Sequence, residues 1–280
     1  MTALHWSLGL RDLLPGHDGV LLDLWGTLHD GASLYPGSRR VLDGLAASGM
    51  PVLLFSNAPR PADHESARLA AMGIPDHPLR SMLTAGEIWR RWWAGQASGG
   101  TLLHCGPAGN LGLFEGLALT LTADTAGADA IVVSDLDPAL DGLEGHDAML
   151  AAALARRLPL HCINPDSDAV SPAGLVPRAG AVARRYAAMG GQVIWFGKPE
   201  RRAYVAACAA LGGLAPQRVL AVGDKIGTDI AGADAMGMTC VLVASGREHE
   251  RMGLRGDDSD LVRLAPCLPE GCAVLPTLRW

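Results

Sequence analysis

Three aspartates (Asp23, Asp224 and Asp229), a Ser56-Asn57 pair and Lys198 are the side chains of this sequence best suited to making and breaking bonds at phosphorus. The Asp23 carboxylate can attack phosphorus and form an aspartyl phosphate. Asp224, together with Asp23, can hold Mg2+, a hard cation that prefers oxygen ligands. Ser56 and Lys198 would bind the phosphoryl oxygens, the lysine charge offsetting repulsion between an anionic nucleophile and an anionic phosphate. Asp229, five residues beyond Asp224, would orient water bound to the metal. Lysine is rare in this chain: only Lys198 and Lys225 occur among 23 basic residues, so each one stands out. Taken singly, every member of the set has a plainer reading as a turn, a helix cap or the lead into a helix. The combination carries the chemistry.

Each of these residues follows a short apolar run, and the runs are the elements that must position them. Val20–Leu22, Val52–Phe55, Val193–Phe196 and Val219–Val222 are too short for helices and read as buried strands. Helical patterns at Ser38–Ser48, Ala62–Met72, Ala181–Met189 and Arg201–Leu211 alternate with them, which implies right-handed βαβ units and a parallel sheet. In such a sheet ligands bind beyond the carboxyl ends of the strands, where the set would converge. More than a hundred residues separate the second run from the third. That interval contains a helical pattern at Glu87–Trp93, strands at Thr101–His104 and Ala130–Val133, a helix at Asp147–Arg157 and a strand at Leu160–Ile163, enough for a second α/β domain. The expected organisation is α/β throughout: a doubly wound, Rossmann-like core from residues 1–80 and 180–280, and an inserted α/β domain from 81–179. The breaker-rich stretch Pro172–Gly180 would provide the return.

Composition narrows the function classes. With 29 acidic and 23 basic residues, a net charge of −6 and no Lys/Arg block, the chain lacks the surface that binds nucleic acid. It has no membrane-length apolar run and its N-terminus lacks the features of a signal peptide, so a cytoplasmic protein without a membrane partner is expected. Its six cysteines show no C-x-x-C spacing and read as reduced thiols. Trp89, Arg90, Arg91, Trp92 and Trp93 form an aromatic, cationic helix face that reads as core of the inserted domain, or else as a wall over the substrate or a homodimer contact.

The motifs together resemble the haloacid dehalogenase superfamily of aspartate-nucleophile hydrolases, and specifically its class IIA phosphatase-like branch. Leu21 to Leu28 (LLDLWGTL) is similar to the first family motif and Leu54-Phe55-Ser56-Asn57 to the second. Gly197-Lys198-Pro199 is similar to the third, and Val222-Gly223-Asp224 through Asp229-Ile230 to the fourth. Tyr35-Pro36-Gly37 and Asn164-Pro165-Asp166 also resemble class IIA, whose α/β cap is inserted between the second and third motifs. The resemblance implies Mg2+ as cofactor, held by Asp23, Asp224, Asp229 and the backbone carbonyl of Trp25. It also implies phosphate or substrate contacts from Ser56, Asn57, Lys198 and Asn164, with a small phosphorylated metabolite such as a sugar phosphate as substrate.

One position departs from the pattern. Phosphatases of the superfamily usually carry a second aspartate two residues after the nucleophile, which protonates the leaving group and then activates water. This chain has Trp25 there. Indole exchanges no proton near neutral pH, so general acid–base help worth typically ~10²–10⁴-fold is missing unless another group supplies it. His29 and Asp30 are the nearest candidates, with His29 the expected substitute. The leading expectation is Mg2+-dependent phosphomonoester hydrolysis through Asp23, slowed by Trp25. The alternatives are a catalytically weakened phospho-ligand-binding or regulatory protein and, last, a C–halogen hydrolase, since dehalogenases of the superfamily carry an aromatic residue at this position.

Overall fold

A computed structural model describes residues 6–74, 81–96, 99–171 and 174–280. Its strands are β1 (Gly19–Leu22), β2 (Val52–Ser56), β3 (Met82–Thr84), β4 (Thr101–Cys105), β5 (Thr120–Thr122), β6 (Ala130–Val133), β7 (Leu160–Cys162), β8 (Asp168–Ser171), β9 (Gly174–Pro177), β10 (Val193–Trp195), β11 (Val219–Gly223), β12 (Thr239–Val243) and β13 (Ala273–Leu275). The α-helices are α1 (Ser38–Ser48), α2 (Ala62–Ala71), α3 (Ala85–Ala94), α4 (Asp147–Ala155), α5 (Ala179–Ala188), α6 (Arg201–Ala210), α7 (Ala231–Ala235), α8 (Arg247–Met252) and α9 (Asp258–Leu264). The chain divides into two compact units, one comprising Met1–Ser56, Ser66–Leu83 and Arg201–Trp280, the other Asn57–Glu65 and Thr84–Glu200.

The first unit is built on a six-stranded sheet of order β13-β12-β11-β1-β2-β3. β1 runs parallel to β11 and β2, with Leu22 opposite Val222 on one side and Leu54 on the other. β1, β2 and β11 are buried along their whole length, because helices on both faces of a parallel sheet require continuous apolar runs rather than alternation. Val20, Leu22, Leu54, Leu220, Val222 and Val241 pack with Val41, Leu42 and Leu45 of α1 in one hydrophobic core.

The second unit has its own parallel sheet, of order β10-β7-β6-β4-β5, and a two-stranded antiparallel hairpin, β8-β9. Ile131, Val133, Leu160, Val182 and Tyr186 are among its core residues. α3 starts at Thr84, whose hydroxyl accepts the Glu87 N–H, a Thr-x-x-Glu helix start. The aromatic face of α3 is spent inside this unit. Trp89 is fully buried and stacks on Trp93, and Trp92 lies against Phe196 and His161.

The third apolar run corrects the expected arrangement. Val193–Trp195 does not join β1, β2 and β11. It pairs with β7, Val193 opposite Leu160, as an edge strand of the second sheet. β7 is followed by the β8–β9 hairpin and α5, and the crossover through them returns β10 to the sheet it left. The second unit therefore extends to Glu200 instead of ending near 179. Of the stretch expected to provide the return, residues 172 and 173 lie outside the described residues and 174–177 form β9. Among the described residues no helix is long and apolar enough to cross a membrane.

Candidate active site

In the first unit, chain geometry delivers three carboxylates to one place. Asp23 continues β1, and its N–H bonds to the Val222 carbonyl at 2.9 Å, so it leaves the sheet beside Gly223 and Asp224 at the end of β11. Asp23, Asp224 and Asp229 are all buried, and each offers an oxygen within 4.8 Å of the other two. Three anionic oxygens buried this closely repel one another, and a divalent cation with hard-oxygen preference relieves that repulsion; the set fits Mg2+.

The loops around the trio are tightly determined. After Asp23 the chain turns sharply, with the N–H groups of Thr27, Leu28 and His29 all directed at the Leu24 carbonyl. Thr27 donates its hydroxyl to Asp23 Oδ2 at 2.9 Å. Gly26 makes this turn possible: its φ is +91°, and a Cβ there would lie 2.0 Å from Asp224 Oδ2. Asp229 sits in a wide helical turn, Ile226–Ile230, and its Oδ2 accepts the Lys225 N–H at 3.1 Å. The buried Tyr204 of α6 braces that turn, its hydroxyl bonding the Thr228 and Asp229 carbonyls at 3.0 and 2.9 Å. Glu248, also buried, accepts the Ile226 N–H. Ser56 ends β2, next to β1, and is buried at the same carboxyl edge as Asp23.

The second unit carries Lys198 and Asn57. Lys198 follows β10 and is 3% exposed. Asn57 grips the Lys198 backbone. Its Oδ1 accepts the Lys198 N–H at 2.7 Å, and its Nδ2 donates to the Lys198 carbonyl at 3.1 Å. Asn164 Oδ1 accepts the Asp166 N–H at 3.1 Å and closes a local turn.

Trp25 and its neighbours decide what acid–base chemistry the first unit has. The indole is 40% exposed, lies under the Arg68 guanidinium at 5.5 Å, and faces the His29 ring at 5.9 Å. His29 is 2% exposed, and its Nδ1 accepts the Gly31 N–H at 3.0 Å. Nδ1 therefore carries the lone pair and Nε2 the proton. That hydrogen bond occupies the Nδ1 lone pair, which speaks against Nδ1 as the base expected of this residue. Asp30 caps its own turn: Oδ1 accepts the Ala32 and Ser33 N–H groups at 2.8 and 2.7 Å. These bonds, the one from Ser33 foremost, hold its carboxyl below the usual carboxylate range.

Sequence reasoning missed Thr27, Tyr204 and Glu248. Thr27 lies within Leu21–Leu28, and its spacing of four from Asp23 is a signal the sequence offers. Tyr204 and Glu248 act through contacts 24 and 22 residues away, which no local pattern reveals.

Two family models match the chain: haloacid dehalogenase-like hydrolase over residues 20–119, and HAD-hydrolase-like over 195–262. Chronophin of Mus musculus is 32% identical over 275 residues, covering 90% of each chain. Dihydroxyacetone phosphatase of Corynebacterium glutamicum (strain R) is 27% identical over 238 residues, covering 81% of this chain and 80% of that protein. Among solved structures, a haloacid dehalogenase-like family hydrolase from Brucella suis 1330 superposes with a TM-score of 0.83 at 27% identity, covering 96% of this chain and 98% of the other.

Proposed function

The chain belongs to the haloacid dehalogenase-like hydrolases and is an enzyme of their phosphatase type, and from that membership we propose that it hydrolyses a small phosphorylated metabolite through an aspartyl phosphate on Asp23, with Mg2+ as cofactor. The observation that carries this reading is the convergence of the Asp23, Asp224 and Asp229 oxygens within 4.8 Å at a buried strand edge. Mg2+, when bound there, neutralises charge between these carboxylates and the incoming phosphate. Asp23, Asp224 and Asp229 would hold it, with the Trp25 carbonyl as a further ligand.

The chain's own residues supply the rest. Asp23 attacks phosphorus, and the Thr27 hydroxyl on its Oδ2 aims the opposite oxygen of the carboxylate at the substrate. Ser56 donates to a phosphoryl oxygen, and Lys198 contributes the positive charge that the transferring group requires. Asn57 positions Lys198 through its backbone. The relative named above as a dihydroxyacetone phosphatase supports a small phosphorylated substrate, and the carboxylate trio favours phosphoryl transfer over C–halogen hydrolysis. Cysteines that remain free thiols suit a cytoplasmic enzyme.

The test is turnover of a broad panel of phosphorylated metabolites by purified protein, with Mg2+ and with chelator, and with Asp23→Asn as control. Metal-dependent phosphate release that disappears in the variant supports the reading. Turnover that survives Asp23→Asn refutes it.

A further inference from the structure

Cleaving a P–O bond leaves an electron pair on the departing oxygen, and an alkoxide is too basic to depart without a proton. The side chains that follow Asp23 do not provide one. Trp25 has no exchangeable proton near neutral pH. The Nδ1 lone pair of His29 is taken up by the Gly31 N–H. Asp30 is occupied by the Ala32 and Ser33 N–H groups, which favour its anion. Asp23, Asp224 and Asp229 stand together as nucleophile and metal site. Where a carboxyl would offer a proton, the half-exposed indole under Arg68 offers apolar surface.

We propose that this enzyme acts on phosphorylated compounds whose leaving group is a weak base that departs as a stable anion, namely acyl, aryl or enol phosphates, and that its aspartyl phosphate is long-lived. The proposal rests on the preceding reading of Asp23 as nucleophile. In the first step an Asp23 carboxylate oxygen bonds to phosphorus while the bond to the leaving oxygen breaks. The electron pair departs with a carboxylate, phenolate or enolate, and no proton is transferred. In the second step water adds to phosphorus and the P–O bond to Asp23 breaks. The Asp23 carboxylate is regenerated, inorganic phosphate leaves, and the proton lost by water goes to solvent. The residue that would protonate the leaving group in the first step would also activate water in the second, so its replacement by Trp25 slows both.

The experiment is a leaving-group series at fixed Mg2+: aryl phosphates whose phenols span pKa values of about 4 to 10, acetyl phosphate, and glycerol phosphate as the alkyl member. kcat/KM is expected to fall steeply as leaving-group pKa rises, with acetyl phosphate favoured over glycerol phosphate by at least roughly 100-fold. Rapid quench should show a stoichiometric burst of phenol and a hydroxylamine-sensitive phosphoenzyme that Asp23→Asn lacks. Trp25→Asp should flatten the dependence by raising alkyl-phosphate turnover. A flat series in the native enzyme, with glycerol phosphate within tenfold of acetyl phosphate and no burst, overturns the proposal while leaving the phosphatase reading intact. If no member is hydrolysed and no phosphoenzyme forms, the reading of Asp23 as nucleophile falls, and this proposal with it.

Discussion

Asn57 clasps Lys198 by its main chain, accepting its N–H at 2.7 Å and donating to its carbonyl at 3.1 Å across 141 residues of sequence. A side chain at the end of one apolar run thus determines where the chain turns after another. Both partners are buried, so removing the amide strands a backbone donor and acceptor at about 1–3 kcal/mol each. Asn57→Ala is expected to lower the thermal midpoint and to raise KM for phosphorylated substrate more than it lowers kcat. Differential scanning calorimetry and steady-state kinetics would check this, and an unchanged midpoint would contradict the role of the clasp.

The Tyr204 hydroxyl joins two carbonyls of the turn that presents Asp229, and its ring meets Phe55, the residue before Ser56, edge to face at 5.2 Å. Tyr204→Phe keeps the ring packing and deletes only the hydrogen bonds, worth about 1–2 kcal/mol together. Mg2+ affinity, measured by isothermal titration calorimetry, should weaken roughly threefold to tenfold, with the ring-dependent core intact by near-ultraviolet circular dichroism. Native affinity in this variant would show that the turn needs no brace.

Crowding of the Asp23, Asp224 and Asp229 carboxylates has a signed consequence for stability. Replacing Asp224 by Asn removes one charge from a mutually repelling trio, so the metal-free protein should melt higher than the native chain. Ligand-linked stabilisation should be lost at the same time. Native protein gains about 2.7 kcal/mol when Mg2+ is at 100 times its Kd, and the variant should gain almost nothing. Thermal melts with and without Mg2+ would reveal both effects, which have opposite signs.

Gly26→Ala asks a φ of +91° of a residue that resists it and drives a methyl group onto Asp224 Oδ2. The turn would have to shift, moving Asp23 relative to Asp224. Phosphatase turnover and Mg2+ binding are expected to fall together by at least roughly 100-fold, because a displacement near 1 Å at the nucleophile suffices for that loss. Retention of either one would argue that the turn can relax without disturbing the carboxylates.

His29→Gln is expected to leave the shape of the pH–rate profile between about pH 5.5 and 8 unchanged, since the Gly31 N–H already occupies the Nδ1 lone pair. A limb near the imidazole pKa that vanishes in the variant would restore His29 as an acid–base residue.

The α/β class, the strands that became β1, β2 and β11, the carboxylates that follow β1 and β11, and the Trp25 departure were all legible in the sequence. They depend on local facts: an unbroken apolar run is buried on both faces whatever its neighbours are, and a residue's chemical type does not change on folding. Which sheet received Val193–Trp195 was decided by tertiary structure, since an apolar triplet fits any parallel edge and only pairing with Leu160–Cys162 selects one. The clasp of Asn57 on Lys198, the Gly31 N–H on His29 Nδ1 and the bracing of Asp229 by Tyr204 were decided in the same way. Each depends on the direction of a hydrogen bond, and direction is a property of two groups in space that the type and spacing of either residue do not contain.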